Sequence, residues 1–292
     1  MNTEHFKEYM RSQGFRPVTI EEASRYAERF ANWLDDENLT AHSCSHTDLL
    51  SLVKKYRDEG QSPQNLRKHI RGIWHYYEYQ KAEGNVSFNK AENLKIRGVV
   101  ARLPSDILTR KQMETIFEES QPQTPVQKRN KTILSFLIYQ GLMLCDIENL
   151  EPSDIDLIKG TVHIKRNARS KRRVLKLEAP QILLLQEYLT TIRPQLEQQK
   201  KQPSDKLFIS IGTGSRIKEA FKDYLNELKP RYPYLKNFMQ LRVSVISQWV
   251  KEKPLREVQY LAGHGSIQST QRYVQASLDE LQMQLKLFHP LK

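Results

Sequence analysis

Cysteine is scarce: the 292 residues hold two, Cys44 and Cys145. They are too few and too isolated for a disulfide framework or a cysteine-based zinc site, so reduced thiols are expected. The eight histidines show no ligand spacing with cysteines or acids, which leaves zinc without a motif. No apolar run approaches the ~18 to 20 residues of a membrane span. The opening stretch, MNTEHFKEYMRSQGF, lacks the charged-then-apolar pattern of a secretory signal, so a cytoplasmic protein with no membrane partner is expected. A phosphate-cradling glycine-rich loop is also missing, which argues against nucleotide hydrolysis. No metal and no cofactor are expected.

What the chain has in excess is positive charge. Forty-six Lys and Arg against 34 Asp and Glu give +12, so a polyanion is the natural partner. The excess is C-terminal. Up to Leu103 there are 16 basic and 14 acidic residues, and beyond it 30 and 20.

Hydrophobic periodicity predicts a mostly helical fold. In TIEEASRYAERFANWL, Thr19 and Glu22 have capping-box spacing, and Ala23, Tyr26, Ala27, Phe30 and Leu34 form one stripe. TDLLSLVKKY follows, with Thr47 as its cap. SPQNLRKHIRGIWHYYEYQ opens on Ser62 and Pro63 and aligns Leu66, Ile70, Ile73, Trp74 and Tyr77. Its other face carries Arg67, Lys68 and Arg71, which suit either a phosphate backbone or solvent. RGVVARLPSD, residues 97–106, reads as a linker. Beyond it Thr109 and Gln112 mark a new helix start, with Met113, Ile116 and Phe117 facing inward, and QKRNKTILSFLIYQGL is apolar enough to be buried. Further helices are expected at APQILLLQEYLTTI, SRIKEAFKDYLNEL, NFMQLRVSVISQWVKE and PLREVQYLAG. A final amphipathic segment, SLDELQMQLKLF, carries Leu278, Leu281, Leu285 and Leu287 and serves either its own core or a neighbouring subunit.

The only strands expected are TVHIKR and RRVLKL around the polar turn NARSK, a β-hairpin in a helical domain. From Gly160 to Leu177 it holds Lys165, Arg166, Arg169, Lys171, Arg172, Arg173 and Lys176, and no acid. A short basic β-ribbon can enter a DNA groove, and each phosphate it neutralises releases counterions. These residues are therefore read as DNA-binding.

Three boxes carry a resemblance. LAGHGSIQSTQRY (261–273) sets a Gly-His pair, a Ser-Thr pair and a tyrosine within thirteen residues. QGLMLCDIENLEPSDID (140–156) and MQLRVSVIS (239–247) precede it. Taken singly, Tyr273, His264 and Arg242 read as ordinary core, helix-end and surface residues. In this order and spacing the chain resembles the tyrosine recombinase (phage integrase) family along nearly its whole length. The resemblance implies a two-domain, mostly α architecture: a helical core-binding domain over 1–103 and a helical catalytic domain with a β-hairpin over 104–292, closing as a clamp on duplex DNA. It implies site-specific strand breakage and rejoining through a 3′-phosphotyrosine, without metal. Homo-oligomers, tetramers on paired sites, or a hetero-complex with a related recombinase are implied as well.

By that resemblance Tyr273 is the nucleophile, Arg242 one of the phosphate-clamping arginines, and His264 the histidine of the Gly-His box. Other positions depart from the pattern. Met143 stands where another arginine belongs, Met239 where a histidine belongs, and Ala168 where a lysine general acid belongs, while Asp146 replaces a glutamate. A phenol with a pKa near 10 needs a base and an electrostatic clamp to attack phosphorus. Losing one such donor costs about 10² to 10³ in rate. Two readings stay open. Either the hairpin compensates, with Lys165 or Lys171 at the leaving oxygen and Arg169 or Arg172 in the clamp, or the chain is a catalytically impaired DNA-binding subunit.

Overall fold

The computed structural model describes residues 2–96, 104–200, 203–211 and 217–288, without the side chains of residues 218, 277 and 279–288. The chain divides into two compact units, Met1–Ala101 and Arg102–Lys292. Of the expected linker, residues 97–103 lie outside the described residues.

The first unit is helical: α1 (Thr3–Ser12), α2 (Pro17–Asp36), α3 (His46–Asp58) and α4 (Pro63–Ala82). α1 was not expected from periodicity. Its two buried residues, Phe6 and Met10, are one helical turn apart, and Phe6 meets the Tyr79 ring edge-on at 5.6 Å. α2 begins earlier than its sequence signal. Pro17 takes the first helical position, where its missing N–H costs nothing, and this puts Thr19 inside the helix rather than at its cap. Ala23, Ala27, Phe30 and Leu34 are buried as expected, while Tyr26 is half-buried. α3 is capped by Ser45, in a capping box with Asp48, and not by Thr47. α4 starts as expected, the Ser62 side chain accepting from the Asn65 N–H. Leu66, Ile70, Ile73 and Tyr77 enter the core, but Trp74 stays 37% exposed at its edge.

The second unit runs α5 (Arg110–Glu118), α6 (Pro125–Tyr139), α7 (Leu144–Glu148), β1 (Ile155–Asp156), β2 (Thr161–Ile164), β3 (Arg173–Lys176), α8 (Ala179–Glu187), α9 (Arg193–Gln198), α10 (Ile217–Leu228), α11 (Phe238–Glu252), α12 (Leu255–Ala262) and α13 (Ile267–Phe288). A turn of π-helix, Tyr188–Ile192, joins α8 to α9. Thr109 and Gln112 form the expected capping box, and Met113, Ile116 and Phe117 are buried. α6 is the central helix, buried from Arg129 to Ile138 except at Lys131. Even Arg129 is internal, donating to the Ile209 carbonyl at 2.7 Å and to the Asn130 side chain.

The hairpin forms with Val162 opposite Leu175 and Ile164 opposite Arg173. The short β1 pairs with β2, so the sheet has three antiparallel strands rather than two. Two residues are too few for an alternation to show. The last helix also differs from expectation. α13 begins at Ile267, inside the Gly-His box, so Tyr273 sits in its second turn rather than before it. Leu278 is half exposed, and the side chains of Leu281, Leu285 and Leu287 lie outside the described residues.

Candidate active site

Arg242 is where three distant stretches of sequence meet. It lies on α11, with Asn237 as the helix cap, and is 5% exposed. One terminal nitrogen donates to the Gly141 carbonyl at 2.6 Å and the other to the Ala262 carbonyl at 2.7 Å. Gly141 supports this with φ +55°, a conformation that glycine adopts without strain, and a Cβ there would come within 3.1 Å of the Val245 side chain. Gly263 ends α12 in the same left-handed region, at φ +68°. Among the described residues no carboxylate forms an ion pair with Arg242, whose direct hydrogen bonds go to carbonyl oxygens while the Asp146 charge acts on it from farther away. Burial pulls its pKa down, although a guanidinium remains charged.

A cavity of about 550 Å³ opens onto this guanidinium and is also lined by His264, Tyr273, Arg169 and Met143. The imidazole of His264 stacks on the Tyr273 ring, centroids 5.9 Å apart, and its Nδ1 lies 2.9 Å from the buried Thr270 hydroxyl. Burial, then Arg242, Arg173 and Arg272, lower the His264 pKa to about 4. It is therefore neutral at pH 7. Burial raises the Tyr273 phenol, and Arg242 and Arg272 partly offset this.

The hairpin residues divide. Arg169 reaches the cavity from a loop shaped by Asn167, whose side chain accepts from the backbone N–H groups of Arg169 and Ser170. Lys171 is exposed beside the Gly-His loop, its N–H on the Gly263 carbonyl at 2.9 Å, but does not line the cavity. Lys165 does not line it either. Its ammonium is 2.6 Å from Glu151 and 3.4 Å from Asp154, and the Glu151 hydrogen bond raises its pKa, the wrong direction for a proton donor. Arg166 and Arg172 are exposed, as are Arg67, Lys68 and Arg71 on α4, where Lys68 pairs with Glu22 at 2.7 Å.

Arg173 corrects the sequence reading. It is 2% exposed and pairs with Asp146 at 3.1 Å, both side chains wholly buried. Its guanidinium also donates to the carbonyls of Leu261 and Lys171. Asp146 further accepts from Ser170 Oγ at 2.6 Å and from Asn167. Arg173 thus ties the first box to the hairpin and the Gly-His loop, and is not available to a phosphate. The signal was in the alternation: Arg173, Leu175 and Leu177 share the inward face.

Sequence reasoning missed three charged side chains at the cavity: Lys236, Arg272 and Asp106. With Arg169 and Arg242 the lining holds four cations among the described residues, and Asp106 is the one acid among them. Met143 and Met239 also border it, the latter 52% exposed, where donors were expected. Among the described residues no cluster of His, Cys, Asp and Glu could hold a metal, and no helix is long and apolar enough to cross a membrane. The arrangement suits a tetrahedral anion held against a phenol.

Comparisons with known proteins agree with this chemistry. The chain is 24% identical over 295 residues to the tyrosine recombinase XerC of Oceanobacillus iheyensis, covering 98% of this chain and 94% of that protein. It is 24% identical to the tyrosine recombinase XerD of Listeria monocytogenes, covering 95% and 94%. In structure it resembles the XerH site-specific recombinase bound to its palindromic difH substrate after cleavage, with a TM-score of 0.74 at 18% identity over 93% of this chain and 80% of that one. The phage integrase family model matches residues 106–280, a span that includes α5 to α12 and all three boxes, and the chain belongs to the phage integrase family.

Proposed function

We propose that this chain is a site-specific DNA recombinase that cuts and rejoins duplex DNA through a phosphotyrosine at Tyr273. The Tyr273 oxygen bonds to phosphorus as the bond to the 5′ oxygen breaks. The phenol gives up its proton, the 5′ hydroxyl gains one, and the 3′ phosphate stays on the protein until the reverse attack. Arg242 neutralises the phosphoryl oxygens. Two of its five N–H groups hold the protein's own carbonyls, so the others can face the phosphate without the guanidinium having to be reorganised.

His264 acts as a neutral hydrogen-bond partner. With Nδ1 engaged by Thr270, Nε2 is the atom that can reach the phosphoryl group. Arg169 stands in for the charge missing at Met143. The exposed cations of the hairpin, Arg166, Lys171 and Arg172, hold flanking phosphates, as do Arg67, Lys68 and Arg71 of the first unit. In this reading residues 1–103 are the core-binding domain and 104–292 the catalytic one, acting in the cytoplasm as oligomers on paired sites.

The observation that carries the reading is the buried Arg242, without an ion-pair partner among the described residues, facing the same cavity as Tyr273. The test is a DNA substrate nicked beside the cleavage site, so that the released fragment cannot religate. A covalent adduct with wild-type protein, absent with Tyr273→Phe, is expected. Met143 and Met239 favour a second reading, a subunit that grips DNA without cutting. Specific footprinting with no adduct would select it.

A further inference from the structure

We propose that Lys236 is a phosphate-neutralising catalytic residue, supplying the charge that position 239 lacks, and that Asp106 is its counterion in the DNA-free protein. The inference rests on the recombinase reading above. Attack at phosphorus builds negative charge on the non-bridging oxygens, and each fixed donor aimed there matters. Met143 and Met239 contribute none, and His264 is neutral. The cavity must draw charge from elsewhere.

Three further cations line it: Arg169, Arg272 and Lys236. Lys236 is the one that immediately precedes Asn237, the cap of the helix that carries Arg242. Its N–H donates to Gln240 Oε1 at 2.7 Å. Gln240 is 6% exposed, and its Nε2 donates to the Tyr234 carbonyl at 3.0 Å and the Asp106 carbonyl at 2.7 Å. One buried amide therefore fixes the start of α11 and the strand of chain entering the second unit. The Leu108 N–H, on Ser244 Oγ at 2.7 Å, fastens that strand a second time. Position 236 comes three residues before 239 in the chain, and both line the cavity.

Asp106 is held in an unusual way. Its φ is +56°, a left-handed conformation that aspartate tolerates better than most residues. From there Oδ1 lies 2.6 Å from Lys236 Nζ. The two side chains are 48% and 58% exposed, so the pair adds little stability and its partners can exchange cheaply. A phosphodiester seated against Arg242 offers the ammonium a second anion. As negative charge grows on phosphorus, Lys236 turns from carboxylate to phosphoryl oxygen. Asp106, left facing an anion, is repelled, so removing its charge favours loaded DNA.

The experiment measures adduct formation on nicked DNA with wild-type, Tyr273→Phe, Lys236→Ala and Asp106→Asn proteins. Each is assayed on an ordinary scissile phosphate and on a methylphosphonate, which lacks the non-bridging charge. Lys236→Ala is expected to slow adduct formation on the diester by about 10²-fold, with footprinting unchanged. On the methylphosphonate it should match wild type. Asp106→Asn is expected to react on the diester at least as fast as wild type. An undiminished rate for Lys236→Ala on the diester overturns the assignment, as does an equal loss on both linkages or a slowed Asp106→Asn. Absence of any wild-type adduct is a different result, which removes the recombinase reading itself.

Discussion

Replacing Asp146 with Asn tests whether Arg173 is a girder or a DNA contact. The substitution keeps the shape of the side chain and most of its acceptor capacity towards Ser170 and Asn167. What it removes is the negative charge 3.1 Å from a fully buried guanidinium. An isolated surface ion pair would contribute about 0 to 1 kcal/mol. Stranding one member of a buried pair costs about 3 to 5 kcal/mol, because the remaining charge is left without solvent or partner. The unit from Arg102 to Lys292 has about 190 residues, for which each kcal/mol lowers Tm by about 2 to 4 °C. A fall of about 6 to 20 °C is therefore expected. Trp249 reports on this unit once Trp33 and Trp74 are changed to Phe, and urea unfolding of the full chain can follow its fluorescence. A double-mutant cycle with Arg173→Met should give a coupling of about 2 to 3 kcal/mol. Single-variant costs below about 1 kcal/mol with no coupling would refute the burial argument and return Arg173 to the DNA-facing set.

Two further outcomes follow from local geometry. A Cβ at Gly263 would lie 2.4 Å from an Arg173 nitrogen, at a backbone φ of +68°, so Gly263→Ala should cost more than the ~1 to 3 kcal/mol of left-handed strain alone and reduce adduct yield; a near-neutral thermal melt would contradict this. In the first unit His69 lies between the Tyr26 and Tyr56 rings and His75 between Phe15 and Trp74, each with a buried Nε2 that has no hydrogen-bond partner among the described residues, and burial lowers both to a pKa of about 4. Both are neutral when folded, so their stability is complete above the unfolded pKa near 6.5 and declines towards pH 4, by about 1.4 kcal/mol per pH unit for each histidine. Urea unfolding at pH 7.5 and pH 5, followed through Trp33 and Trp74, should show a loss of roughly 4 kcal/mol that His69→Phe and His75→Phe together remove; an unchanged midpoint at pH 5 would contradict it.

Much of the helical frame was written in local sequence. Ser62 with Pro63, and Thr109 with Gln112, start helices because capping depends on neighbours a few residues away. Where two caps compete nearby, as Ser45 does with Thr47, or where Pro17 precedes Thr19, short-range rules left the start off by two or three residues. The three boxes were legible too, and Arg242, His264 and Tyr273 line one cavity. The membership of that cavity was less so. Nothing in the spacing between 106 and 236 brings Asp106 to Lys236, since that contact depends on Gln240 bridging separate segments.

By itself, then, the sequence determined the helical periodicity, the hairpin, the basic balance and the order of the chemical boxes, all set by residues close in the chain. Tertiary structure decided which cations are usable. Arg172 and Arg173 are adjacent and chemically identical, yet the strand's alternation sends one to solvent and the other against Asp146. A charge becomes a girder or a ligand contact according to what lies on its side of the sheet, and that is settled only when segments far apart in the chain pack together.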